Sequence, residues 1–153
     1  IDELPCTIDF YVNCIGNENY GYINIEEAMY GLDQDFTRYR LSDAEIVSEI
    51  IRDIHANEDH PENHNIVLQS RGPMILAKFD EKFEYRNRDD VFNVLVKNAL
   101  NNFIVKQDRL KHIYDKVNAN EHMLSSIEHL TKVKLYGNRF KMVKPCVEDV
   151  SRM

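Results

Sequence analysis

Between Ser42 and Ile66 the sequence passes from an amphipathic helix to a strand through eleven polar-rich residues, and no other feature restricts the available folds as strongly. Ile46, Val47, Ile50, Ile51 and Ile54 recur at the three- and four-residue spacing of one helical face. Ser42 and Glu45 form a capping box ahead of them. Asp43 and Glu45 add negative charge to the first turn, where the helix dipole favours it. The helical pattern fades at Ala56 and Asn57, before Pro61. The run His55-Ala-Asn-Glu-Asp-His60-Pro-Glu-Asn-His64-Asn65 follows, and Ile66-Val-Leu-Gln69 then reads as a strand.

The remaining elements extend this αβ passage in both directions. Residues 7–15 are β-branched and aromatic and predict an N-terminal strand, ended by the turn-rich residues 16–21. Asn24, with Glu27 three residues on, predicts a short helix over 25–30 that stops at Gly31. Residues 32–40 read as a polar connection containing aromatics. Residues 66–69, 74–79 and 82–85 predict three short strands, joined at Arg71-Gly72-Pro73 and Asp80-Glu81 into an antiparallel meander. Asn87 opens an apolar stripe from Phe92 to Val117 that predicts one long helix over 88–117, about 45 Å at ~1.5 Å per residue. Asn118 and Glu121 predict a cap for a last helix over 119–133. The expected fold is α+β: a small antiparallel meander packed with several helices, including one long C-terminal amphipathic helix. Residues 1–87 form its core and 88–153 a helical arm packed on that core, together one folding unit.

A chain of 153 residues suits such a unit without disulfide or metal. Cys6, Cys14 and Cys146 are odd in number and lack a Cys-x-x-Cys spacing, which argues for reduced thiols in an intracellular setting. No apolar run approaches the ~18 residues of a membrane span. The chain opens at Ile1 without a signal-peptide pattern or initiator Met and is expected to be a piece of a longer protein. The net charge of −7 and pI near 5.3 argue against a domain that coats nucleic acid or an anionic membrane. The charge is uneven. Residues 41–62 carry seven acids against Arg52, and residues 106–144 carry nine Lys or Arg against four acids. That asymmetry describes solvated faces, or a device for head-to-tail self-association.

The densest polar cluster invites two chemical readings. His55, Asp59, His60 and His64 offer metal-ligating groups, and His55, His60, His64 and Asn65 offer the set an HNH-like nuclease would use, with one His as general base. Against both, no distant ligand pair is apparent, and His64-Asn65 run straight into a strand instead of a helix behind a hairpin. The plainer reading is a helix-to-strand loop whose side chains satisfy local backbone groups, with Asn63 and Asn65 able to tolerate left-handed turns and Pro61 stiffening the path. A winged-helix DNA reader fits the element order loosely, but its recognition helix would be residues 42–56, which are strongly acidic. Lys106, Arg109, Lys111, Lys132, Lys134 and Arg139 form a basic stretch able to meet nucleic acid, interspersed with acids as on a solvated helix face. No Gly-x-Ser-x-Gly motif or phosphate-cradling glycine loop is present, and no cofactor is expected.

One series of motifs runs the length of the chain: Gly16-Asn-Glu-Asn19 with Tyr22-Ile23, Ile54-His-Ala-Asn57, Pro61-Glu-Asn-His-Asn-Ile66, the hairpin from Met74 to Tyr85 followed by Arg88-Asp-Asp-Val91, and Leu135-Tyr-Gly-Asn-Arg139. In that order it resembles a C-terminal domain of uncharacterised proteins from large eukaryotic DNA viruses, often found downstream of a C2H2 zinc finger. The resemblance spans roughly residues 13–140 and is most specific at Pro61 to Ile66. Ala56 stands where the family usually has Phe, Gly137 where it has Asn, and Phe83 near a common Trp. No finger is present, so finger-based nucleic-acid binding is not implied, and the family offers no catalytic residues to transfer. The resemblance implies a viral source and an infected-cell or virion setting, in the cytoplasm or a viral factory. The expected function is a non-enzymatic protein-interaction or assembly module, a minor virion or scaffold component. It would pair with itself or other viral proteins, as a homo-oligomer, through Phe92, Leu95, Leu100, Phe103, Leu110 and Ile113. Those residues would form a seam left uncovered beyond the small meander.

Overall fold

The computed structural model describes residues 12–32, 34–67 and 73–137, with side chains up to residue 131. In chain order the elements are α1 (Ile25–Ala28), β1 (Tyr30–Leu32), β2 (Arg38–Arg40), α2 (Asp43–His55), a single 3-10 turn (Pro61–Asn63), β3 (Ile66–Val67), β4 (Met74–Phe79), β5 (Lys82–Asn87), α3 (Arg88–Asn101), α4 (Asp108–Ala119) and α5 (Glu121–Gly137). β1 and β2 form an antiparallel ribbon, and β3, β4 and β5 an antiparallel meander. The α+β class holds.

α2 organises the core. Its Ser42–Glu45 capping box is closed in both directions. Ile46, Val47, Ile50, Ile51 and Ile54 are all at most 1% exposed. Each such side chain contributes about 1.5–3 kcal/mol by leaving water. The face they make is covered by α5 and α3, and Ile75 and Ala77 of β4 join the same apolar cluster. That cluster draws residues from both sides of position 88, so the proposed core and arm share one interior.

The expected long helix over 88–117 is two helices. α3 ends at Asn101, residues 102–106 turn, and Gln107 is extended before α4. Asn102 folds its side chain back onto the Asn98 carbonyl (2.6 Å). The break doubles the apolar stripe back on itself instead of extending it past the sheet. Phe103 enters the core at the break and meets Tyr20 edge-on, with ring centroids 6.1 Å apart. The cap of the last helix is also corrected: Asn120, not Asn118, accepts from His122 N–H. α1 stops at Ala28, short of Gly31, and the supposed connection 32–40 holds the last residue of β1, its loop and all of β2. Of the expected strand over 7–15, residues 7–11 lie outside the described residues. Asn13 and Ile15 bond to Glu62 and Lys78 carbonyls, without forming a regular strand.

The β4–β5 turn is strained. Phe79 pairs with Lys82, leaving a two-residue loop in which Asp80 and Glu81 have φ of 46° and 76°. Such a turn suits Asn-Gly, because a Cβ in the left-handed region is disfavoured. Asp tolerates that region better than Glu, so Glu81→Gly should raise stability by about 0.5–1 kcal/mol, read as a higher denaturation midpoint. An unchanged or lower midpoint would contradict the turn geometry.

Candidate functional site

The polar run after α2 is built into the interior. Asn63, His64 and Asn65 are at most 1% exposed and His55 2%. Asn63 uses its whole amide. Its Oδ1 accepts from Asn13 Nδ2 (3.1 Å) and Asn19 N–H (2.9 Å), and its Nδ2 donates to the Asn19 carbonyl (2.8 Å) and Tyr22 Oη (3.2 Å). Asn65 Nδ2 donates to the Asn13 carbonyl (3.1 Å) and to Glu18 Oε2 (2.7 Å). Its Oδ1 is therefore an acceptor, and His55 Nδ1–H donates to it across 2.7 Å. Glu18 Oε1 accepts from Tyr20 Oη–H (2.8 Å) and Gly16 N–H (3.0 Å). Gly16 makes this turn possible with φ of 100°.

The bonds of Asn63 and Asn65 thus reach residues 13–22, more than forty positions earlier, and are not the local backbone satisfaction expected. Neither asparagine is left-handed; Asn63 lies in the 3-10 turn that Pro61 opens, and the left-handed non-glycine residues described are Phe36, Asp80 and Glu81. The result is a polar staple. It holds the segment from Asn13 to Tyr22 against the end of α2 and the start of β3.

The three histidines diverge within it. His55 turns to Asn65 and has Glu18 Oε2 at 3.9 Å. His60 stacks on Tyr22, 3.5 Å between centroids, and its Nδ1 contacts Glu62 at 2.9 Å. His64 Nε2 meets the Asn57 carbonyl at 2.7 Å. The Asp59 side chain joins none of these contacts, and its N–H is turned to Asn57 Oδ1. Among the described residues no group of three or more His, Cys, Asp or Glu is placed to hold a metal ion. The metal set His55, Asp59, His60, His64 and the nuclease set His55, His60, His64, Asn65 are therefore not assembled as either chemistry requires.

Burial pushes the His55 imidazole down, outweighing Glu18, Asn65 and the Asn63 carbonyl, which favour its charged form; His64 nearby lowers it further. The Tyr22 hydroxyl is pushed up to about 12, first by burial and then by the carboxylates of Glu62, Asp53 and Glu18, against the Asn63 bond. Burial and Glu18 raise Tyr20 as well. All three groups are neutral near pH 7. The unfolded chain protonates His55 near 6.5 while the folded chain resists it, so the unfolded state binds more protons below that value. Stability should fall on acidification from about pH 6.5, by at most about 1.4 kcal/mol per pH unit. Denaturation of His55→Gln between pH 7 and 5 should show a flatter slope; equal slopes would remove His55 as the cause.

The basic stretch is partly spent within the chain. Arg109 binds Asp43 Oδ1 (3.1 Å) and the Leu41 carbonyl (2.9 Å), and Lys116 binds Asp43 Oδ2 (2.7 Å). These bonds clamp α4 to the first turn of α2 and hold the Asp43 carboxyl below its usual range, overcoming the burial that opposes it. Lys106 lies 5.9 Å from the Phe103 ring centroid, and Lys111 is exposed. The side chains of Lys132 and Lys134 and all of Arg139 lie outside the described residues. The expected interaction seam is interior: Phe92, Leu95, Leu100, Phe103, Leu110 and Ile113 are each at most 2% exposed. In the folded chain these six are core, and they form no docking face.

Exposed large apolar side chains lie at Met74, Tyr85, Val94 and Val105, and four more cluster in sequence on the β1–β2 ribbon and its loop. Tyr30 is 40% exposed, Leu32 60%, Tyr39 47% and Phe36, in the loop between the strands, 80%. Arg38 sits over the Tyr30 ring at 4.6 Å. The Tyr39 ring lies across Gly31 so closely that a Cβ there would stand 2.6 Å from it. Alternation in Tyr30-Gly-Leu32 and Arg38-Tyr-Arg40 was the available signal. A shallow, open groove of about 240 Å3 adjoins the ribbon, lined by Tyr22, Ile23, Asn24, Glu27, Ala28, Tyr30, Glu49, Asp53 and Asn57. It is smaller than the roughly 300–1,000 Å3 of ordinary small-molecule sites. Among the described residues no helix is long and apolar enough to cross a membrane. Comparison with family models, with curated proteins and with solved structures finds no match to this chain.

Proposed function

We propose that this chain is a non-enzymatic protein-interaction module of a large DNA virus, acting in virion assembly or scaffolding, and that its docking face is the β1–β2 ribbon. One observation carries the reading. Phe36 holds a left-handed backbone, φ 62°, with its ring 80% in solvent. That conformation is an outlier for a bulky residue and costs of order 1–3 kcal/mol, and such strain collects at binding sites. The two strands that flank its loop carry Tyr30, Tyr39, Arg38 and Arg40, residue types that carry most binding energy at protein interfaces. The motif residues Gly16, Glu18, Asn19, His55, Asn63 and Asn65 meanwhile form the buried staple, which favours architecture over chemistry as their role. The viral setting rests on the resemblance those motifs carry. The reading requires no cofactor.

The test separates folding from docking. Phe36→Gly relieves the strain, so the folded state should be at least as stable as the original. A photo-reactive residue at position 36 should give a discrete protein adduct in cells that make the chain, and the same probe at exposed Lys111 should not. No adduct at position 36, or equal adducts at both positions, would refute the docking face.

A further inference from the structure

The ribbon ends in an open edge whose outward main-chain groups belong to two arginines. Leu41 N–H donates to the Met29 carbonyl (3.1 Å), which marks Met29 and Leu41 as a bonded pair of the ribbon. Bonded and unbonded pairs alternate along an antiparallel ladder. Gly31 and Tyr39 therefore bond each other, while Arg38 and Arg40 turn their N–H and carbonyl groups away from β1. All three residues of β2 are exposed, and among the described residues no main-chain bond reaches Arg38 or Arg40 from another segment. The register sets both arginine side chains on the face that holds Tyr30 and Leu32, with Tyr39 on the opposite face. Among the described residues, the arginines that meet a carboxylate are Arg52, Arg86, Arg88 and Arg109. Arg38 instead lies over the Tyr30 ring at 4.6 Å.

We infer that β2 takes a third, antiparallel strand from a partner protein: an extended acidic segment with carboxylates opposite Arg38 and Arg40 and an apolar side chain opposite Tyr39. This deepens the docking-face reading and rests on it. An added strand pairs the outward donors and acceptors of the edge, and its side chains supply the selectivity. Directly opposed residues of neighbouring strands share a face, with Cβ atoms about 4.5–5.5 Å apart, so acids two positions apart meet both guanidinium groups. Asp35, in the loop beyond the strand, lies outside this alignment. The edge favours polypeptide over nucleic acid, because its carbonyls match N–H donors and repel phosphate oxygens. It also disfavours a second copy of itself. Antiparallel pairing of two β2 strands about Tyr39 would set Arg38 of one against Arg40 of the other, like charges directly opposed. The arginines thus guard the edge against self-pairing and admit an acidic strand.

Titration of the whole chain with short fluorescent peptides tests it. A peptide alternating glutamate and valine should bind saturably, and one alternating lysine and valine should not. Arg38→Glu with Arg40→Glu should keep the fold, checked by circular dichroism, because both side chains are exposed. That variant should bind the glutamate peptide about tenfold more weakly or worse. The same peptide N-methylated at its glutamates keeps its charge but loses the N–H donors that face the edge, and should not bind. Equal binding of the methylated peptide would mean charge attraction without an added strand and overturns the inference. So does a glutamate peptide that fails to bind at about 1 mM, or that ignores the arginine variant. A thymidine oligonucleotide that binds through the two arginines where the peptide does not also overturns it. If the peptides fail but position 36 still gives its adduct, strand addition fails and the docking-face reading stands. If neither is seen, both fall.

Discussion

Replacing Asn63 with alanine is expected to lower the stability of the fold by about 3–5 kcal/mol, out of a total of roughly 5–15 kcal/mol for a domain. The size follows from what the amide does. It makes four hydrogen bonds, and the residue is fully buried. Alanine removes the partner of Asn13 Nδ2 and of the Asn19 N–H and carbonyl, while Tyr22 Oη keeps its bond to the Asp53 carbonyl (2.7 Å). Each orphaned buried group costs about 1–3 kcal/mol, though the losses do not simply add because the partners relax together. The same substitution at Asn101, an exposed residue at the end of α3, should change stability by no more than about 0.5 kcal/mol. Equilibrium denaturation of the two variants decides the matter. Similar midpoints would mean that the staple does not hold residues 13–22 in place, and the architectural reading of the junction would fail with it.

Much of this architecture was legible because local and tertiary preferences agree. In α2 the capping box, the charge of the first turn and the isoleucine face all specify one helix in one orientation. The meander was legible for the same reason, since apolar runs and turn residues alternate on the scale of a strand. The helix break at 102–107 was hidden because apolar spacing continues through it: Phe103 and Leu110 are seven residues apart, as two turns of an unbroken helix would place them. Only the third dimension distinguishes a stripe that runs on from one that folds back. The ribbon was hidden because each strand has three residues, so the alternation in Tyr30-Gly-Leu32 and Arg38-Tyr-Arg40 is too short to stand out. At the junction, the residue types were conspicuous but their partners were not. Glu18 and Asn13 lie 47 and 52 positions from Asn65, and nothing in the spacing of His55, His60 and His64 says that the rings point apart.

The stripe itself gives the second large effect, and it separates a core from a docking seam. Phe92 is 0% exposed and belongs to the cluster that includes Ile50, Ile54 and Ile75. Phe92→Ala should therefore cost about 3–5 kcal/mol, the sum of lost burial and the cavity left behind. A seam residue would behave in the opposite way: the same truncation would leave the monomer as stable as before, or more soluble, and would weaken only association. The helix break sharpens the contrast at Leu110 and Ile113. On a straight helix of about 45 Å they would lie beyond the sheet, where a charged residue is tolerated. In the folded-back arrangement both are 0% exposed, so Leu110→Asp buries an unpaired carboxylate and should prevent folding of the chain. A Leu110→Asp variant that folds with native circular dichroism would restore the single long helix and return these residues to the surface. Loss of folding in Leu110→Asp, together with intact folding in Arg38→Glu with Arg40→Glu, would assign the stripe to the core and the exposed chemistry to the ribbon.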